Sequence, residues 1–176
     1  MGLLDFLARY HPPGEIPPPQ VLEDFDRVSN EASPEDIEVG LEDAFNSDVT
    51  PPFEQMVGQL YDESDDDTRA SLLNEIIASM GGSNQVANAV GGGALGGVLG
   101  GLLRRGGQGN PRISPADARS IPPRDIEVAA AEARRQNPGV VQQISRFYAR
   151  HPQLVQVLGQ AALSILMSGM ARRRRF

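Results

Sequence analysis

The stretch Pro34-Glu-Asp-Ile-Glu-Val39 recurs 89 residues later as Pro123-Arg-Asp-Ile-Glu-Val128. Further matches lie downstream, at an offset of 87 and then again of 89 residues. They pair Pro51, Gln55, Val57, Leu60 and Tyr61 with Pro138, Gln142, Ile144, Phe147 and Tyr148, and Ile76–Gly81 with Ile165–Met170. Recurrence at a fixed offset is typical of a duplicated supersecondary unit. We therefore predict two related units, over residues 34–82 and 123–171.

Both copies carry the apolar periodicity of amphipathic helices. Their middle segments place apolar residues at i, i+3, i+4, i+7 and i+8 or close to that spacing, which predicts one buried helix face in each. These core candidates are Phe53, Met56, Val57, Leu60 and Tyr61, with Val140, Val141, Ile144, Phe147 and Tyr148. The predicted fold is all-α, with two related three-helix units joined by a Gly-rich connector and preceded by an N-terminal Pro-rich arm.

The predicted organisation has four segments. Residues 1–33 hold an amphipathic turn, a Pro-rich arm and a short helix, and residues 34–82 are an acidic helical repeat. Residues 83–122 form a Gly-, Pro- and Arg-rich connector. Residues 123–176 are a basic helical repeat with an apolar last helix and an arginine tail. The turn at residues 2–10 either docks on the domain or anchors the chain at a membrane interface.

Charge is divided unequally along the chain. All 16 basic residues are arginine, which excludes the lysine of Walker phosphate-binding loops and of Schiff bases. No cysteine is present, so disulfide and thiolate chemistry are excluded as well. Residues 1–103 carry a net charge of −16, and residues 104–176 carry +9. This asymmetry predicts either an anionic partner for the basic end or pairing between the two ends.

Residues 86–103 read VANAVGGGALGGVLGGLL and contain no charged residue. Glycines spaced by four allow two helix backbones to approach closely. Glycine also opposes helix formation by about 0.8–1 kcal/mol relative to alanine. The stretch is therefore either a hinge or a closely packed or lipid-facing helix. The predicted helix–helix contact residues are Gly92, Gly93, Gly96, Gly97, Gly100 and Gly101.

The last helix is the most apolar part of the chain. Apart from a narrow stripe of glutamine and serine, residues 154–170 are apolar or small. Such a helix is either core or membrane-embedded. Arginines follow both this helix and the glycine-rich stretch, where anionic lipid headgroups would suit them. The predicted contacts to an anionic partner are Arg104, Arg105, Arg172, Arg173, Arg174 and Arg175.

Sequence motifs for catalysis, metal or cofactor binding are not evident, and we expect no enzymatic activity and no cofactor. The acidic run Asp62–Asp67 departs from a calcium loop, because its sixth position is Asp67 rather than glycine. Instead, Ser64 is expected to cap the following helix, whose first turn holds the aspartates. His11 and His151 each precede a proline and are expected to end helices.

The sequence resembles bacterial YidB-like proteins of unknown function. The resemblance lies in the start Met-Gly-Leu-Leu-Asp5, the Phe53–Gly58 and Leu72-Leu-Asn74 runs, the Gly/Leu-rich middle and the ending Phe147-Tyr-Ala-Arg-His-Pro-Gln-Leu-Val155. It implies a small helical bacterial protein and assigns no catalytic residue.

Two functional hypotheses follow. The first is a non-enzymatic, self-associating helical protein that acts in an assembly or at a membrane surface. Its acidic copy would meet the basic copy of a neighbour, as a homo-oligomer or within a multiprotein assembly, and an anionic lipid surface is the second partner class. Nucleic acid is disfavoured because the protein is acidic overall. The alternative is a soluble binding module enclosing an apolar pocket for a small molecule or lipid. We expect cytoplasmic localisation, with attachment to the periphery of the inner membrane left open.

Overall fold

The computed structural model describes residues 20–91, 93–105 and 112–174, and within these ranges the chain is helical without a strand. The all-α class is thereby confirmed. The α-helices are α1 Val21–Glu31, α2 Pro34–Phe45, α3 Phe53–Asp62, α4 Asp66–Ser79, α5 Ser83–Val90, α6 Ala94–Arg105, α7 Pro115–Arg119, α8 Pro123–Gln136, α9 Val140–Ala149, α10 Pro152–Val155 and α11 Gly159–Arg174. A 3-10 turn, Gln156–Leu158, precedes α11.

Short polar side chains begin several of these helices. Ser33 Oγ accepts a hydrogen bond from the Asp36 N–H at the start of α2 (3.3 Å). At the start of α4, Asp65 Oδ1 accepts from the Thr68 N–H (2.7 Å), so the cap is Asp65 and not the predicted Ser64. Ser64 instead donates its hydroxyl to the Leu60 carbonyl. Both residue types can cap a helix, and the start lies one residue later than predicted.

The described residues fall into two compact units. The first comprises residues 20–52 and 144–174, and the second comprises the described residues of 53–143. In the first unit, α2 and α1 pack on α11. Its core holds Phe25, Ile37, Leu41, Phe45, Leu163, Leu166, Met167 and Met170, all at most 2% exposed.

In the second unit, α3 packs along α8, and the short helix α7 packs on α4. Helices α5 and α6 pack on each other and also contact α8. The core includes Phe53, Met56, Leu60, Leu72, Leu73, Ile76, Ile126, Ala129 and Ala130. The predicted core faces are buried in both copies, apart from Phe147, which is half-buried.

Each unit combines helices from both predicted copies. Helix α2 begins the first copy and packs on α11, which ends the second copy. Helix α8 begins the second copy and packs chiefly on α3, from the first copy. The segment boundaries drawn from the sequence therefore do not coincide with the compact units, because packing joins helices that are distant along the chain.

The predicted connector is helical over much of its described length. Helices α5, α6 and α7 all lie within residues 83–122, so the stretch around Gly96 takes the helical alternative. The helical turn that Ser114-Pro115 predicts is confirmed, with a capping box between Ser114 and Asp117. The N-terminal amphipathic turn and Pro-rich arm, residues 1–19, lie outside the described residues, as do residues 106–111.

Candidate functional site

The glycine-rich helix α6 is held in the second unit by its N-terminus and its leucines. The Leu95 N–H donates to Asp125 Oδ2 at 2.9 Å, which satisfies one of the free N–H groups of the first turn. A carboxylate at this position also interacts favourably with the helix dipole. Leu95 and Leu99 are fully buried. One side of α6 is therefore fixed within the unit.

The predicted glycine contacts divide into packed and open positions. A Cβ at Gly96 would lie 2.6 Å from the Gly91 carbonyl oxygen, and one at Gly93 would lie 2.7 Å from Asp125 Oδ2. At Gly97 and Gly101 the same methyl group would meet no described residue within 4 Å, apart from the backbone of α6 itself. At Gly100 it would lie 4.0 Å from the nearest side chain, and Gly92 lies outside the described residues.

Two of the predicted anionic-partner residues end this helix. Arg104 and Arg105 are exposed, and Arg104 Nε donates to the Gly100 carbonyl one turn earlier. Positive charges at a helix C-terminus interact favourably with the helix dipole. Gly101 lies one turn and Gly97 two turns before these arginines, and both are open. Helix α6 therefore presents a surface of small residues bounded by positive charge. We call the surface of Gly97, Gly101 and these two arginines the α6 face.

Two of the other predicted arginines meet carboxylates of the same chain. In the first unit Arg172 pairs with Asp43, and Arg173 Nε lies 3.5 Å from Asp36 Oδ1. These arginines were predicted to contact an anionic partner, and in this structure the partner is helix α2. Helix α11 ends at Arg174, and Arg175 lies outside the described residues.

A third ion pair joins the same acidic helix to α9. Arg146 Nη2 lies 3.3 Å from Glu38 Oε1. We call the three pairs, Arg146–Glu38, Arg172–Asp43 and Arg173–Asp36, the arginine clasp. Within the first unit, the acidic and basic ends of the sequence therefore pair with each other.

Glu42 lies on the acidic helix beside the clasp. Burial raises the pKa of Glu42, and the negative charges of Glu38 and Asp43 raise it further, while Arg146 opposes them. Its charged form is thus disfavoured by folding, since desolvation and like charges both favour the neutral acid.

Sequence reasoning missed a close approach of two helices in the first unit. A Cβ at Gly40 would lie 2.5 Å from the Leu166 carbonyl oxygen, and one at Gly169 would lie 3.0 Å from the Gly40 Cα. The two glycines thus allow α2 and α11 to pack backbone against backbone. A glycine inside each helix was the available signal, but neither belongs to a repeated spacing.

Two polar contacts fix α7 in the second unit. The Tyr61 hydroxyl lies 2.7 Å from the Ala118 carbonyl oxygen and 3.0 Å from that of Ile121. Asn74 donates to the Ile113 carbonyl (3.0 Å) and accepts from the Ile113 N–H (2.9 Å). Burial raises the pKa of Tyr61 to about 12, with Arg69 opposing the shift.

One stretch of the described residues has the length and apolar composition of a membrane-crossing segment. Among the described residues, Pro152–Arg173 is long and apolar enough to cross a bilayer by length and composition. In the structure most of its apolar part is buried. Gly159 interrupts the stretch with φ +87°, so the continuous helix is the 16 residues of α11.

Within residues 20–91, 93–105 and 112–174, the structure contains no group of three histidine, cysteine or acidic side chains that could hold a metal ion. No protein-family model, curated protein or solved structure matches the chain. The resemblance to YidB-like proteins and the expected lack of enzymatic activity stay predictions.

Proposed function

We propose that the protein self-associates through the α6 face and serves as a helical assembly module. The observation that carries the proposal is the open space at Gly97 and Gly101, where an added methyl group meets none of the described residues within 4 Å. Glycine is the residue that allows another backbone to approach closely. A second copy of α6 fits this face because it presents the same small residues.

The energetics of α6 support a partner at this face. Its glycines at 96, 97, 100 and 101 disfavour the helix by about 3–4 kcal/mol in total relative to alanine. Burial of Leu95 and Leu99 offsets part of this cost. Gly97 and Gly101 gain no packing from the described residues of their own chain, and close contact with another helix would supply it.

Charge favours an antiparallel pair. In a parallel pair, Arg104 and Arg105 of one copy would lie beside the same residues of the other, where like charges repel. An antiparallel arrangement separates the arginines and is an isologous two-fold contact. This pairing replaces the contact predicted from the sequence between the acidic copy of one molecule and the basic copy of its neighbour, because Arg172 and Arg173 already face carboxylates of their own chain.

The proposal includes the internal duplication. Short helices α1 and α7 each precede one copy, and each packs on the last helix of the other copy, α11 and α4. The first helix of each copy likewise packs chiefly on a helix of the other copy. Reciprocal exchange of this kind is what we expect when two copies of one helical unit are fused and complete each other.

Sedimentation velocity of the full chain over a wide concentration range tests the self-association. We expect the wild type to form a dimer as concentration rises and Gly97→Leu/Gly101→Leu to stay monomeric. The leucines fit the monomer because both positions are open, and they favour the helix. Circular dichroism verifies that the helix content is retained.

A matched control adds the same two side chains elsewhere. Ala78→Leu/Ala131→Leu places leucines at exposed positions of α4 and α8 and should associate like the wild type. A wild type that is monomeric throughout contradicts the proposal. So does a glycine variant that associates as strongly as the wild type.

A further inference from the structure

The open glycines of α6 belong to a longer row on one side of the helix. Gly93, Gly97 and Gly101 are spaced by four residues, so they follow each other along that side. The carboxylate of Asp125 lies beside the first of them, because a Cβ built on Gly93 would be 2.7 Å from Asp125 Oδ2. That oxygen accepts the Leu95 N–H, and Asp125 is partly exposed. One end of the row therefore carries a negative charge.

Positive charge occupies the other end of the same row. Arg105 follows Gly101 by four residues, and Arg104 adjoins it. Both arginines are exposed, and neither forms an ion pair with a carboxylate of the described residues. Arg104 uses Nε on the Gly100 carbonyl and keeps its other donors available. The α6 face thus runs from a carboxylate at one end to two arginines at the other.

A two-fold axis through the row brings its opposite ends together. The open positions are centred on residue 99, so in an antiparallel pair Gly97 faces the partner's Gly101. In the same register Arg105 faces the partner's Gly93, and therefore the partner's Asp125. Residues 93 and 105 are about 18 Å apart along a helix. The charged contacts would thus lie on either side of the glycine contact.

We propose that, in the self-associated protein, the arginines that end α6 pair with Asp125 of the second copy and thereby fix the antiparallel register. This inference rests on the self-association proposed above and names the residues that select the partner copy. Asp125 then has two roles. Its Oδ2 holds the first turn of its own α6, while its Oδ1, which accepts no hydrogen bond from the described residues, accepts from the partner's arginine.

Charge complementarity discriminates against the other arrangements. A parallel pair would place the two Asp125 carboxylates together at one end and four arginines together at the other, so like charges would repel at both. A register shifted by one helical turn would move each Arg105 about 5.4 Å from its position opposite the carboxylate. Glycines alone allow close approach in either direction. The charged ends therefore supply the specificity of the contact.

A double-mutant cycle on the dimer dissociation constant tests the pairing by sedimentation velocity. Arg104→Gln/Arg105→Gln removes the positive charges. Asp125→Asn removes the negative charge and keeps a side-chain oxygen that can accept the Leu95 N–H. Each variant should raise the dissociation constant about tenfold, since the two-fold contact contains every pair twice. The combined variant should also lose about tenfold rather than about a hundredfold, because both changes remove the same contacts.

Neutral substitutions outside the α6 face are the matched controls. Arg112→Gln/Arg150→Gln removes two exposed arginines, Glu63→Gln removes one exposed carboxylate, and both should leave the dissociation constant unchanged. Added sodium chloride should weaken the wild-type dimer and leave the combined variant nearly unaffected. Circular dichroism verifies that Asp125→Asn retains the wild-type helix content.

Disulfide cross-linking reports the register directly, because the chain has no cysteine of its own. The exposed Ala94 would face the partner's Arg104. A mixture of Ala94→Cys and Arg104→Cys should therefore form an intermolecular disulfide under mild oxidation, and Ala94→Cys alone should not. Cross-linking of Ala94→Cys to itself as the main product would overturn the register.

The outcomes separate this inference from the proposed function. If Gly97→Leu/Gly101→Leu is monomeric while the charge variants associate like the wild type, self-association stands and the pairing with Asp125 is refuted. Tighter association of the arginine variant would also refute the pairing, since it indicates arginines that lie side by side, and so would additive losses in the combined variant. A wild type that is monomeric at every concentration refutes both.

Discussion

Gly40 of α2 and Gly169 of α11 face each other where the two helices meet, and a methyl group on Gly169 would lie 3.0 Å from the Gly40 Cα. Helices α2 and α11 are more than a hundred residues apart in the sequence, and yet their backbones are in near contact. Leu166 and Met167 are fully buried beside this point. The contact explains why glycine occupies the interior of both helices, where it lowers helix propensity.

Replacement of Gly40 by alanine should destabilise the protein by about 1–3 kcal/mol through overpacking, which outweighs a helix-propensity gain of about 1 kcal/mol. The loss is expected because the added methyl would lie 2.5 Å from a backbone oxygen of Leu166, which cannot rotate away. Gly169→Ala should act in the same direction. Urea denaturation at a concentration too low for self-association measures both, and Gly101→Ala, at an open helical position, should instead stabilise the monomer. A neutral Gly40→Ala would show that the helices separate easily.

Tyr61→Phe should lower the free energy of unfolding by about 1–3 kcal/mol near neutral pH, because it removes the hydroxyl that the Ala118 and Ile121 carbonyls accept from. Folding raises the pKa of Tyr61 to about 12 from its ordinary value of 10.0. Between these values the unfolded chain releases the proton first, so this stabilisation is complete below pH 10 and is lost as pH rises to 12.

Urea denaturation at about pH 8 and about pH 11 checks the linkage at Tyr61. The difference between wild type and Tyr61→Phe should shrink at the higher pH, because only the wild type has this proton to lose. An equal difference at both values would refute the assignment of the shift to Tyr61.

Asn74→Ala should destabilise the second unit by about 1–3 kcal/mol, since it leaves the Ile113 N–H and carbonyl without their side-chain partner. Ile113 itself is 3% exposed, so water does not readily replace the lost bonds. Amide hydrogen exchange at Ile113 should accelerate. Glu75→Ala, at the next and exposed position of α4, is the control and should leave that exchange rate unchanged.

Glu42→Gln should stabilise the protein near neutral pH. Burial and the charges of Glu38 and Asp43 raise the folded-state pKa of Glu42, so its ionisation opposes folding increasingly as pH rises past the unfolded value, and fully above the folded value. The charge also lies near the C-terminus of α2, where a negative charge costs about 0.3–1 kcal/mol. At about pH 3, where the carboxyl is protonated, the advantage should vanish. Thermal unfolding at both pH values distinguishes this from a pH-independent packing effect.

Local features of the fold were predictable from the sequence. Apolar spacing identified the buried faces of α3 and α9, and Ser114-Pro115 identified the start of α7. Phe147 is half-buried although its spacing places it on the buried face of α9. Apolar spacing predicts which face of a helix is buried, but it does not predict how completely another helix covers each residue. The helix around Gly97 was one of two open alternatives, since glycine content alone opposes a helix.

The candidate site was predictable only in part. Gly97 and Gly101 were predicted as contacts, and the structure leaves them open, which is the condition for a second copy to use them. Arg172 and Arg173 were assigned to an anionic partner, and their proximity to Asp43 and Asp36 required the fold. Charge composition indicates that opposite signs will attract, but it does not determine whether they meet within one chain.

Periodicity, capping residues and composition by themselves determined the helical class and the buried faces, because these depend on residues a few positions apart. Tertiary structure decided that α2 packs on α11 and α8 on α3, and that Gly40 meets Gly169. Those choices depend on side-chain shape and charge brought together across most of the chain. Burial and close packing act on distance in space, which the order of residues does not specify.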